Sequence, residues 1–85
     1  MEILYYLHTG IVKGISMEIL AKRMRIVRKE QHLRQEIVAE ALGVSISAYR
    51  RYELNEREPM APFIEAFAKY FNVSADYLLG LSDQR

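Results

Sequence analysis

Apolar residues recur along most of this chain at helical rather than alternating spacing. Leu20, Met24 and Val27, flanked by Ile19 and Ile26, trace one face and predict a first helix over about residues 18–31, with Ser16 as its N-cap. Val38, Ala39 and Leu42 mark a short second helix over about 35–42. Gly43 stops it, because the left-handed position after a helix is nearly free for glycine and costly for residues with a Cβ. Ser45 then caps a third helix, about 46–52, whose Tyr49 and Tyr52 fall on the inward side. Pro59 and Pro62 bracket the start of a fourth helix that runs to about Tyr70 with Phe63, Ile64, Phe67 and Phe71 inward. Asn72 turns the chain, Ser74 caps a fifth helix over about 75–79, and Gly80 ends it. The pattern predicts an all-α fold of five helices occupying residues 18–81, with residues 82–85 as a short C-terminal tail.

Residues 1–17 do not follow that pattern. Ile3 to Leu7 and Ile11 to Ile15 are β-leaning runs on either side of Thr9-Gly10, which suits an N-terminal extended arm or small hairpin. The alternative is a leader ahead of a translation start at Met17. A two-stranded hairpin is marginal in water by itself, so an ordered arm needs another chain or the body of the domain to pack on.

With 85 residues, 51% of them apolar and 27% charged, the chain is long enough for one helical domain and too short for two. It has no cysteine, which excludes disulfides and thiolate metal sites and fits a reducing cytoplasm. The longest uncharged run, Ile3 to Val12, is too short to span a bilayer and lacks the basic flank of a secretory signal. His8 and His32 have no carboxylate spacing that suggests a metal or a triad. Paired carboxylates, a nucleophile with its base and a phosphate-binding loop are also missing. Neither an enzyme nor a cofactor is expected.

The net charge of +1 conceals a dipolar layout. Lys22, Arg23, Arg25, Arg28, Lys29 and Arg34 stand against Glu30 in one segment, whereas residues 58–85 carry four acidic and two basic side chains. Local Lys/Arg density suits a polyanion such as nucleic acid, since phosphate contacts depend on it rather than on total charge. The plain alternative is a solvated helix face.

The stretch ALGVSISAYRRYE, residues 41–53, joins the second and third helices through Gly-Val-Ser alone. So short a turn makes two helices cross steeply, bracing the second on the body and letting the third stand out. The third helix presents Ile46, Ser47 and Arg50 on one side with Arg51 beside them, a poor set to bury. A helix fits the major groove of double-stranded DNA. There Ser donates or accepts at a base edge, Arg pairs bidentately with guanine, and Ile46 or Ala48 suits a thymine methyl. Each has a plainer role: Arg50 and Arg51 as solvated residues, Ser47 as a local cap, Ile46 as a staple onto the second helix.

In one register, residues 20–81 resemble the phage-repressor and Cro type (XRE-like) of helix-turn-helix DNA-binding domain. The pattern appears as Leu20, Met24, Val27-Arg28, Leu33, Gln35, Val38-Ala39, Leu42-Gly43-Val44-Ser45 and Tyr52-Glu53. It continues through Pro59, Phe67-Ala68, Val73-Ser74 and Asp76-Tyr77-Leu78-Leu79-Gly80. The resemblance implies a repressor-like five-helix domain and a transcriptional repressor that binds double-stranded DNA. It implies an ion pair between Arg28 and Glu53, and a phosphate contact from Gln35 at the start of the second helix. Arg34, Arg57 and the backbone near Asn55 are further phosphate candidates. The chain departs from the family where Arg34 replaces a capping Ser or Thr, and where Leu54-Asn55 replaces Asn-Gly. A homodimer is expected, through Tyr77, Leu78 and Leu81 or through the Ile3 to Leu7 arm, with two half-sites about 34 Å apart on the duplex. A different class of function is an antitoxin-like interaction module whose N-terminal arm holds a partner protein.

Overall fold

The computed structural model describes the backbone of residues 11–85 and the side chains of residues 17–85. The Ile3 to Leu7 run, and with it the arm as a dimer or partner surface, lies outside the described residues. Those residues form α1 (Ile11–Glu30), α2 (Gln35–Ala41), α3 (Ile46–Glu53), α4 (Ala61–Phe71) and α5 (Ala75–Leu78), and contain no strand.

The first helix begins earlier than periodicity indicates. Ile11 to Ile15 is helical rather than extended, and Ser16 lies inside α1 instead of capping it. A lone extended run leaves its backbone N–H and C=O groups unpaired, whereas a helix satisfies them within the segment. Gly14 weakens the helix by about 1 kcal/mol relative to alanine and does not end it. At the other end His32 adopts a left-handed conformation, φ 57°, and the N–H of Leu33 donates to the Arg28 carbonyl at 3.3 Å. Histidine tolerates that region better than most residues with a Cβ.

The remaining boundaries follow local chemistry. Gly43 has φ 74°, and a Cβ there would meet nothing within 4 Å, so backbone conformation alone calls for glycine. Ser45 Oγ accepts the N–H of Ala48 at 3.0 Å, and Ser74 Oγ accepts that of Tyr77 at 2.9 Å. Asn55 and Asn72 both turn left-handed, ending α3 and α4. Arg34 is extended ahead of α2 and supplies no side-chain cap. Gly80 is constrained twice, since its φ is 80° and a Cβ would lie 2.9 Å from Ile19.

The core is a contiguous cluster to which every helix contributes, including Leu20, Met24, Val38, Tyr49, Phe67 and Leu78. The tilted rings of Tyr52 and Phe63 pack with centroids 4.9 Å apart, and those of Phe67 and Phe71 at 4.6 Å, fastening α3 to α4 and bracing α4 itself. Helix α1 packs on both α3 and α5. Tyr77 and Leu78, expected at a dimer surface, are instead core residues, Leu78 being 0% exposed. Helix α5 turns them toward α1 and α4, and only Leu81 of that set stays outside, at 53%.

Residues 82–85 fold back on the body rather than trailing from it. The Ser74 N–H donates to the Arg85 carbonyl at 2.9 Å, and the Arg85 guanidinium pairs with Glu30. Arg23 donates to the carbonyl oxygens of Tyr77 and Ser82 and to Asp83, with its guanidinium 4.3 Å from the centre of the Tyr77 ring.

Candidate nucleic-acid interface

The turn at Gly43 and the cap at Ser45 set α3 on the surface with one side inward. Tyr49, Tyr52 and Glu53 are buried, while Ser47, Arg50 and Arg51 are exposed. At about 100° per residue these three, together with Leu54 at the C-cap, share an arc of roughly 100°. Leu54 is 62% exposed and extends that arc with an apolar side chain, a feature that the sequence pattern does not reveal. Ile46 falls on the flank. It is half-buried and packed against the core, so the exposed face expected to comprise Ile46, Ser47 and Arg50 is centred on Ser47, Arg50 and Arg51.

The inner end of α3 is held by a charged network. Arg28 donates from Nε to Glu53 Oε2 at 2.7 Å and from Nη2 to Oε1 at 2.9 Å, and its third bond reaches the Leu33 carbonyl at 2.8 Å. Gln35 Nε2 adds a bond to Glu53 Oε1 at 3.0 Å, and Arg25 donates to the main-chain carbonyl of Glu53. Glu53 is 1% exposed and Arg28 8%. Burial alone would raise the Glu53 carboxyl, but hydrogen bonds from Arg28 and Gln35 and the charge of Arg28 hold it below its ordinary value. The Tyr49 phenol lies beside this pair, where desolvation first and Glu53 second push it far above the ordinary range. Removing either ion partner would strand the other charge in the interior.

Two expectations change in consequence. Gln35 is half-buried and tied to Glu53, so one amide N–H expected to meet a phosphate is already engaged inside. The basic segment of α1 is likewise not one open patch. Arg23, Arg25 and Arg28 all turn inward, to the C-terminal segment or to Glu53, leaving Lys22, Lys29 and Arg34 exposed. The i, i+3 spacing of Arg25 and Arg28, which sets both on the side of α1 that faces α3, is the sequence signal for their shared target. Arg34, Asn55 and Arg57 are exposed, the first just ahead of α2 and the others in the loop after α3. Among the described residues no group of His, Asp and Glu is arranged to hold a metal, and no helix is long and apolar enough to cross a membrane.

Comparison with known proteins agrees with this geometry. The helix-turn-helix family model HTH_3 matches residues 24–78. The uncharacterized HTH-type transcriptional regulator YazB of Bacillus subtilis (strain 168) is 41% identical over 61 residues, 72% of this chain and 88% of that protein. The uncharacterized HTH-type transcriptional regulator YobD of the same organism is 37% identical over 62 residues, 73% of this chain and 55% of YobD. Repressor protein C2 of Salmonella phage P22 is 32% identical over 65 residues, 76% of this chain but 30% of the repressor. The aligned region thus spans about half of YobD and less than a third of C2. No solved structure matches. With the turn, the standing third helix and its buried Arg28–Glu53 fastening all inside the matched span, the chain belongs to the HTH_3 helix-turn-helix family.

Proposed function

We propose that this protein is a sequence-specific DNA-binding transcriptional regulator, a repressor that binds as a homodimer with α3 in the major groove of double-stranded DNA. The observation that carries this reading is the division of α3. Its inner side is fixed by Tyr49, Tyr52 and Glu53, while Ser47, Arg50 and Arg51 are presented outward. The guanidinium groups of Arg50 and Arg51 make no hydrogen bond or ion pair among the described residues, so their donors are available to a ligand. Arg34, Arg57 and the turn at Asn55 flank the helix and supply phosphate contacts, with the remaining N–H of Gln35 as a further donor. Such contacts fix register, and base edges give specificity. The relatives named as transcriptional regulators, and the one named as a repressor, support the same function. A regulator of this kind works beside the DNA, in the cytoplasm.

The decisive measurement is affinity for random-sequence duplex at two salt concentrations. Binding should weaken steeply as salt rises, because each phosphate contact releases condensed counterions. A flat response would remove DNA from the proposal.

A further inference from the structure

We infer that α3 selects guanine: sequence discrimination in each half-site falls on guanines met in the major groove by Arg50 and Arg51. The inference rests on α3 being the DNA-facing helix and adds which base chemistry it accepts. Its basis is the set of polar groups on the exposed arc, which is short. Ser47, Arg50 and Arg51 are its polar members, and neither guanidinium is engaged within the described residues.

Arginine carries donors only, in a planar fork. Guanine presents two acceptors, N7 and O6, on its major-groove edge and matches that fork; adenine and cytosine each present an amino donor that arginine cannot accept. Reading those amino groups takes an amide or a carboxylate. The arc has neither. The one carboxylate of α3, Glu53, is 1% exposed and saturated by Arg28 and Gln35. The remaining acceptor, Ser47 Oγ, donates as readily as it accepts and so favours no base strongly. Ile46 packs on the core rather than standing free to select a thymine methyl. Leu54, the apolar member of the arc, sits at the C-cap, away from the N-terminal part of a recognition helix that meets base edges. Arg50 and Arg51 diverge by about 100° around the helix, so they address neighbouring base pairs rather than one guanine.

The test starts with duplexes selected from a random pool by the full-length protein. In the selected half-sites, guanines are then replaced singly by 7-deazaguanine, which lacks N7, or by inosine, which keeps N7 and O6. Each half-site should contain guanine. Replacement of a read guanine by 7-deazaguanine, which removes one of the pair's two acceptors, should weaken binding by at least ~5-fold and by less than the ~150-fold upper bound for a whole bidentate pair, while inosine leaves binding nearly unchanged. Arg50→Ala and Arg51→Ala should each make one position insensitive to the 7-deaza change. Selected half-sites without guanine would overturn the inference. So would indifference to 7-deazaguanine with salt-dependent duplex binding intact, an outcome that leaves the DNA reading standing. Absence of salt-dependent binding to any duplex would remove both.

Discussion

Glu53 concentrates more of the molecule's electrostatics than any other described residue. Its carboxylate accepts from Arg28 and Gln35 and its carbonyl from Arg25, so one side chain and one peptide group join α1, the start of α2 and the end of α3. Because the folded protein holds this carboxyl below its ordinary value of 4.5, its contribution to stability is present above that pH and is lost as pH falls through the lower folded value. Denaturant unfolding of wild type should therefore lose stability on acidification below about pH 4.5, and Glu53→Gln should flatten that part of the profile while lowering stability at pH 7. Arg28→Ala should cost ~3 kcal/mol or more by leaving Glu53 charged and buried, measured by thermal or denaturant melts; an unchanged melting temperature would show the pair to be dispensable. Gly80→Ala tests a different constraint, since the new Cβ meets Ile19 at 2.9 Å in a left-handed backbone. It should cost roughly 1–3 kcal/mol, and Ile19→Ala should restore part of the loss by opening the contact.

At the scale of elements, punctuation was more legible than orientation. Gly43, Ser45, Asn72, Ser74 and Gly80 each announce a boundary through a backbone or capping requirement that holds whatever the rest of the chain does. The start of α1 was not legible, because Ile11 to Ile15 is compatible with strand or helix and periodicity alone does not separate the two. The settings of Ile46 and Arg25 depend on neighbours for a related reason. Periodicity says which residues share a face, whereas the depth to which a side chain sinks, or the carbonyl it finds, depends on the neighbouring helix. Helix α2 shows how stability and binding are weighed within one element. Arg34 leaves its first N–H groups without a side-chain acceptor, so Arg34→Ser should add a cap worth ~0.5–2 kcal/mol in melts. If Arg34 meets a phosphate, as proposed, the same change should weaken binding to specific and random duplexes alike and lower the salt slope by about one unit.

For the whole molecule, the fold itself was legible because the core positions of all five helices follow the helical period, and the surfaces were less so. Tyr77 and Leu78 read as surplus apolar residues until α5 is seen to turn them toward α1 and α4, with Arg23 bonded to the carbonyls of Tyr77 and Ser82. Of the proposed dimer contacts among the described residues, Leu81 is what remains. Leu81→Glu should therefore shift sedimentation toward the monomer, and a wild-type chain that stays monomeric at high concentration with and without DNA would dispose of the dimer. Along α3, the residues that fasten the helix (Tyr49, Tyr52, Glu53) and those proposed to read DNA (Ser47, Arg50, Arg51) interleave in sequence yet never coincide. Lettering can thus be changed without recutting the block. New target preferences can arise by drift at three outward positions, at almost no penalty in folding, while the mount that aims them is inherited unaltered.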